Sequence, residues 1–282
     1  MVSIKSLKFR VFSVTILLLF LLVLSCDKDT VAIDTTSDTT ENTDDTTDDS
    51  DSETEEPSDT AYDIQSVLPL FDASSEVVSY EITADDVIFT TTNLPKHKSP
   101  YYLGTEWNDD LYEDYNGTNN SFRLNPNRIG AQNITFTIPL HPKAATNNAA
   151  TPMGPIGISR NGVVFFNQYA AGGAGLDNEI NSFDQYLGHP TGQSMYHYHI
   201  EPSYLTEVFG AHAFLGLLAD GFPVYGPDEN SETLSSEDLD AFHGHYGVTD
   251  EFPDGIYHYH VTADPPYING DGFYGTAGNI SR

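Results

Sequence analysis

Two tetrapeptides, Tyr196-His197-Tyr198-His199 and Tyr257-His258-Tyr259-His260, each hold two histidines one residue apart. The apolar neighbours Met195, Ile200, Ile256 and Val261 make each a β-strand candidate, in which successive side chains face opposite ways. His197 and His199 then share one face and Tyr196 and Tyr198 the other, and His258 and His260 separate from Tyr257 and Tyr259 in the same way. Same-face Cβ atoms lie about 6.5–7 Å apart, so both imidazoles of a strand can reach one ion at about 2.0–2.1 Å. A single His-x-His strand is more often a polar face over a tyrosine core. Its recurrence in a second copy favours metal binding.

The tetrapeptides close two copies of a longer unit, spanning about 154–205 and 213–268. Gly157 to Asn167 parallels Gly216 to Gly226, and each has Asn-Gly or Asp-Gly between apolar runs, the signature of a hairpin with a type I′ turn. Phe183-Asp184-Gln185-Tyr186-Leu187-Gly188-His189 parallels Leu239-Asp240-Ala241-Phe242-His243-Gly244-His245. If the copies pair around a pseudo-twofold axis, the four strand imidazoles meet in one shared site. His189 and His245 would join them, and His243 is adjacent. Asp184 and Asp240 are candidate ligands, or acceptors that fix the tautomer of each histidine. Two independent sites are the competing arrangement, and histidines bonded to backbone carbonyls the structural one. His212 has no counterpart, since the aligned residue is Met153, and His97 and His141 lie outside the repeat and read as surface residues.

Imidazole suits copper, zinc, nickel and iron. The single cysteine, Cys26, falls at an acylation site, so no thiolate remains, and copper(II) or zinc is the expected ion. Affinity should fall as pH drops through about 6.5, the ordinary histidine value. Alternation turns the tyrosines away from the site, against a tyrosine redox role. The acidic pairs Asp109-Asp110, Glu113-Asp114 and Asp228-Glu229 could hold calcium but read as solvated loops.

The elements that must position these residues are mostly strands: Val77–Ile82, Val87–Thr92, Asn133–Ile138, Gly162–Phe166, Met195–Ile200, Phe214–Leu218, Phe222–Tyr225 and Ile256–Thr262. One short helix is expected, with Ser236 as its N-cap. The expected fold is mainly β. It is a single domain over residues 61–282, sandwich or barrel-like, built around the duplicated hairpin and strand.

These motifs resemble the YHYH-domain family, from roughly Gly154 to Thr276. The resemblance rests on Gly188-His189-Pro190, both Tyr-His-Tyr-His strands, and the segment Ala219-Asp220-Gly221-Phe222-Pro223-Val224-Tyr225-Gly226. Many members carry a cysteine shortly before the Gly-His. Here that place reads Gln185-Tyr186-Leu187, which removes any thiolate or disulfide role. The resemblance implies no particular reaction.

The 282 residues include 42 acidic and 11 basic side chains, a net charge of −31 that disfavours nucleic acid and favours cations. Lys5, Lys8 and Arg10 precede an apolar run, Val11 to Leu24, that ends in Val23-Leu24-Ser25-Cys26. Residues 1–25 therefore read as a lipoprotein signal peptide and Cys26 as the acylated first residue of the mature chain. Asp27 to Thr60 has 14 acidic residues and no aromatic one, the composition of a disordered tether. No Gly-x-Ser-x-Gly, phosphate-loop or His-Glu-x-x-His motif occurs.

The leading expectation is thus a histidine-cluster metal-binding protein of the bacterial cell envelope, with the metal ion and the membrane as its partners. The alternatives are a metal-dependent extracytoplasmic hydrolase or oxidase, and a carbohydrate- or partner-binding module using Trp107, Tyr101 and Tyr102. Mass analysis of the mature protein should find lipid on Cys26, and Cys26→Ser should release or mislocalise it. Correct processing and membrane retention of that variant would reject the anchor.

Overall fold

The computed structural model describes residues 62–72, 76–270 and 272–282. The signal peptide, Cys26 and the acidic tether lie outside them. Beside β1 (Val78–Ile82), fully buried residues alternate with less buried ones in β2 (Asp86–Thr91) and β3 (Ile134–Pro139). With β14 (Asn279–Ser281) these form an antiparallel four-stranded sheet in the order β1-β2-β3-β14.

The large sheet carries the duplication. Its first half is β4 (Pro155–Ser159), β5 (Val164–Phe166), β6 (Gly188–Pro190) and β7 (Tyr196–Tyr198). Its second half is β8 (Phe214–Leu218), β9 (Pro223–Tyr225), β12 (Gly244–Gly247) and β13 (Ile256–His260). A two-stranded ribbon, β10 (Asp228–Glu229) and β11 (Glu232–Thr233), intervenes. The spatial order is β12-β13-β9-β8-β4-β5-β7-β6, which reads as the same four-strand unit outward from the centre in both directions. The halves meet where β4 pairs antiparallel with β8, Gly157 opposite Leu218, Ile158 opposite Leu217, and Ser159 opposite Gly216. That register maps onto itself when the copies exchange, so a pseudo-twofold axis passes through the Ile158–Leu217 pair. Both strands are buried throughout, as the apolar runs Pro155 to Ile158 and Phe214 to Leu218 require.

Glycine at 157 and 216 follows from this contact. A Cβ at Gly157 would meet the Leu217 carbonyl oxygen at 2.5 Å, and one at Gly216 the Ile158 carbonyl oxygen at 2.3 Å. The β4–β5 and β8–β9 hairpins form as the sequence predicts, but with a different turn. Only Gly162 and Gly221 take positive φ, +86° each, while Gly162 N donates to Ser159 O and Gly221 N to Leu218 O. Each is a type I turn followed by a left-handed glycine in a three-residue loop, rather than type I′. The four-stranded sheet and the residue leading into it contact both loops: Thr91 Oγ1 of β2 donates to Gly162 O (2.7 Å), and Gly278 N, just ahead of β14, to Ala219 O (2.8 Å).

The fold is therefore mainly β with sandwich-like sheets, and the eight-stranded sheet does not close into a barrel. Helices are few. Around Ser236 there is only a 3-10 turn, Ser236–Asp238, capped by Ser235 rather than Ser236. The sequence reading missed α1 (Asn108–Leu111) and α2 (Ser203–Phe209). It also missed the short partner strands β6 and β12.

A methyl group on Gly216 should destabilise the domain by about 1–3 kcal/mol, because its neighbour is main chain and cannot rotate away. Thermal melts of Gly216→Ala and the control Gly192→Ala check this, since the nearest atom to a Cβ at Gly192 is 4.0 Å away. Equal melting temperatures would contradict the β4–β8 contact.

Candidate metal centres

β6 and β7 pair so that His189 lies opposite His197, and β12 and β13 pair so that His245 lies opposite His258. The Gly-His dipeptide serves this pairing twice. Its histidine faces the strand histidine, and its glycine leaves room for a tyrosine, since a Cβ at Gly188 or Gly244 would come within 2.5 Å of the Tyr196 or Tyr257 hydroxyl oxygen. The tyrosines of both tetrapeptides are buried in the apolar core, as alternation requires.

Asp184 and Asp240 lie on the tyrosine side, and neither belongs to a cluster of converging donor atoms. Asp184 accepts from the Tyr196 hydroxyl (2.9 Å), Tyr186 N, Gly188 N and the Ser99 hydroxyl. Asp240 accepts from the Tyr257 hydroxyl (2.9 Å), Phe242 N and Gly244 N. Each carboxylate folds the turn ahead of a Gly-His and pins the tyrosine of the next strand. The expectation that they act as ligands or fix histidine tautomers is corrected accordingly.

Nor do the copies share one site. β7 and β13 are five strand spacings apart, about 24 Å along the sheet. The pseudo-twofold axis exists, but it runs through β4 and β8 and sends the histidine pairs to opposite ends. Two clusters result: Glu179, His189, His197 and His199, and Glu229, His245, His258 and His260. Within each, one donor atom per residue lies within 4.8 Å of all the others.

In the first cluster His197 Nε2 is 3.1 Å from His189 Nε2 and 3.0 Å from His199 Nε2, and Glu179 Oε1 is 3.2 Å from His189 Nε2. In the second, His245 Nε2 is 3.1 Å from His258 Nε2, and Glu229 Oε1 is 3.4 and 3.5 Å from them. Tetrahedral ligands at about 2.0–2.1 Å from an ion sit roughly 3.3–3.4 Å apart, close to this spacing.

The Nδ1 atoms are occupied elsewhere. His197 Nδ1 faces Met195 O (3.2 Å) and His199 Nδ1 faces Asn167 O (2.6 Å). His258 Nδ1 faces Ile256 O (3.0 Å) and His260 Nδ1 faces Gly226 O (2.7 Å), the same places in the second copy. Ser182 Oγ gives its hydrogen to Glu179 O and accepts from His189 Nδ1 (2.7 Å). A carbonyl can only accept, so these Nδ1 atoms carry the proton and the Nε2 lone pairs converge bare. Lone pairs at 3 Å repel one another and the carboxylate, and a cation between them turns that repulsion into bonding. His260 Nε2, buried and without a hydrogen-bond partner, is the clearest sign of the same demand. The sequence alternatives thus coexist on one ring: Nδ1 binds a backbone carbonyl and Nε2 faces the ion position.

Sequence reasoning missed Glu179. It counted Glu229 only as part of a solvated acidic pair. Neither falls on a repeat landmark, because Glu179 comes from a 3-10 turn and Glu229 from β10. Among the described residues no such cluster consists of carboxylates alone, so the calcium expectation finds no counterpart there.

His243 is buried and bonded to Thr262 Oγ1, outside both clusters. His212 lines the cleft over the second cluster without belonging to it. His141 is exposed as expected, but His97 is not: it is buried among Tyr186, Tyr196 and Tyr204. Tyr101 and Tyr102 are fully buried too, which removes them as exposed platforms for a carbohydrate or partner.

A cleft of about 740 Å³ opens over the first cluster and one of about 750 Å³ over the second. The protein is an open-sheet β protein with a duplicated, symmetry-related pair of His-Glu clusters that could each hold a metal ion. The family model described as YHYH protein matches residues 135–237 and 227–272, so the segment that carries both clusters is a YHYH domain. No curated protein and no solved structure matches it.

Burial pushes His199, His258 and His260 down to about 4 and His197 well below its ordinary value. These rings stay neutral near pH 7, so the loss of affinity expected at pH 6.5 moves to lower pH. On unfolding they take up protons between about 4 and 6.5, so the stability they contribute at neutral pH is lost as pH falls through that window. Asp220, raised by burial to about 6, acts in the opposite direction. An imidazole NMR titration of the metal-free domain should show His199, His258 and His260 neutral at pH 5.5. Protonation of any of them at pH 6 would contradict the buried geometry.

Proposed function

We propose that this YHYH-domain protein is a metal-binding protein of the bacterial cell envelope. It is tethered through lipid on Cys26 and the acidic segment, and it holds one copper or zinc ion in each half of its sheet. The convergence of bare Nε2 lone pairs, with the Nδ1 atoms tied to main-chain carbonyls, carries the reading. The net charge of −31 supports it by attracting cations. Three imidazoles and a carboxylate suit copper(II) or zinc, whereas calcium takes oxygen ligands.

The clefts over the clusters favour a second reading, a metal-dependent hydrolase or oxidase. Catalytic zinc keeps a water where a structural site has its fourth protein ligand. Glu179 and Glu229 supply that fourth ligand, which favours holding an ion over turning over a substrate.

Titration with Zn(II) or Cu(II) should give two ions per chain. His197→Ala/His199→Ala and His258→Ala/His260→Ala should each retain one. One ion per wild-type chain, lost altogether in either variant, would restore the shared site. Wild-type affinity no better than millimolar for both ions would reject metal binding.

A further inference from the structure

The two centres repeat their imidazoles but not their surroundings. Around the first, the His189 side chain is only 4% exposed, and Ser182 holds its Nδ1. Phe166 stacks on His197 at 3.9 Å between ring centres, and Phe183 packs against His189 at 4.8 Å. Met153 lines this cleft, and its charged residues are Glu179 and Arg282.

Each substitution in the second copy loosens or polarises the site. The His245 side chain is 28% exposed, and among the described residues no hydrogen bond holds its Nδ1. Tyr225 stands where the first copy has Phe166, meets His258 only edge-on, and turns its hydroxyl to Glu251 and Thr249. His212 stands where the first copy has Met153. Gly247 stands where the first copy has Thr191, and a Cβ there would lie 3.1 Å from the His258 ring and 3.3 Å from Glu229 Oε1. The absence of that side chain leaves the flank of the second centre open.

The second cleft is also acidic. Asp228, Glu229, Asp250 and Glu251 line it, against one cation, Arg160. The Arg160 guanidinium is already engaged, lying 3.5 Å over the Phe209 ring and donating to Phe214 O. Carboxylates along a cleft focus the field and raise the arrival rate of cations, an effect that salt suppresses. His260, whose buried Nε2 has no hydrogen-bond partner, lines this cleft.

We propose that the centres have divided the labour: the first retains its ion as a fixed part of the fold, and the second is the exchange port through which divalent metal enters and leaves. The assignment rests on the metal-binding reading above and adds that the two sites differ in kind. At the first, Phe166 and Phe183 pack against the imidazoles and Ser182 holds His189, so a ligand must break these contacts before the ion can leave. At the second, the partly exposed His245 imidazole can swing away and admit water or a competing ligand.

Rapid-mixing kinetics with Zn(II) alone as the probe test it. His197→Ala/His199→Ala isolates the second centre and His258→Ala/His260→Ala the first. The second centre should load and release its ion into excess chelator roughly tenfold faster or more, and its loading should slow as ionic strength rises. In the His197→Ala/His199→Ala background, Asp250→Asn/Glu251→Gln should slow loading severalfold while one ion per chain still binds. The unmutated protein gives the same information if a variant does not fold, since its release should then show two phases of equal amplitude. One phase from a doubly loaded chain, equal rates at the isolated centres, or faster exchange at the first overturns the division of labour and leaves metal binding intact. Absence of any bound Zn(II) in the unmutated protein overturns both.

Discussion

The hydrogen bond from an imidazole Nδ1 to a main-chain carbonyl decides what each strand histidine can do. It fixes the ring plane, assigns the proton to Nδ1 and leaves Nε2 as a directed lone pair. The accepting carbonyls are placed by the sheet itself. Asn167 and Gly226 follow the second strand of each hairpin, and Met195 and Ile256 immediately precede each tetrapeptide. The four strand histidines are consequently as rigid as the ladder that holds β5 beside β7 and β9 beside β13. Burial keeps the rings neutral, so orientation and protonation state come from one piece of architecture.

That architecture is set by a contact far from either cluster. Close approach of β4 and β8, permitted by Gly157 and Gly216, joins the copies edge to edge and puts the tetrapeptides at the ends of one sheet. Edge-to-edge joining gives two centres of the same chemistry that are free to diverge, because neither borrows a ligand from the other. Opposite the histidine face, the tyrosines anchor each copy to its own cover. Tyr198 meets Asn161 and His97, while Tyr259 donates to Asp220 and accepts from Tyr274 N.

Much of this was legible in the residues. The faces of the tetrapeptides followed from alternation, the hairpins from Asn-Gly and Asp-Gly, and the six histidines from the repeat. The number of sites was not legible, because a pseudo-twofold axis can bring paired motifs together or drive them apart. Which occurs depends on the strand at the seam, here an apolar run with no outward sign of its partner. Glu179 and Glu229 escaped because they reach the clusters from unrelated elements, at different distances in sequence from His189 and His245. Asp184 and Asp240 misled for the converse reason. They sit beside the Gly-His in sequence, yet the turn they build points them at the tyrosines. His97 read as a surface residue because nothing local announces the aromatic box that three distant tyrosines build around it.

The central claim is that each half of the sheet binds its own ion through Nε2 atoms and one glutamate. Anomalous diffraction from crystals of the zinc- or copper-loaded protein tests it most directly. Two peaks should appear at opposite ends of the eight-stranded sheet, one among Glu179, His189, His197 and His199 and the other among Glu229, His245, His258 and His260. A single peak between the halves, bonding through Nδ1, or ions found only on surface carboxylates would contradict the account.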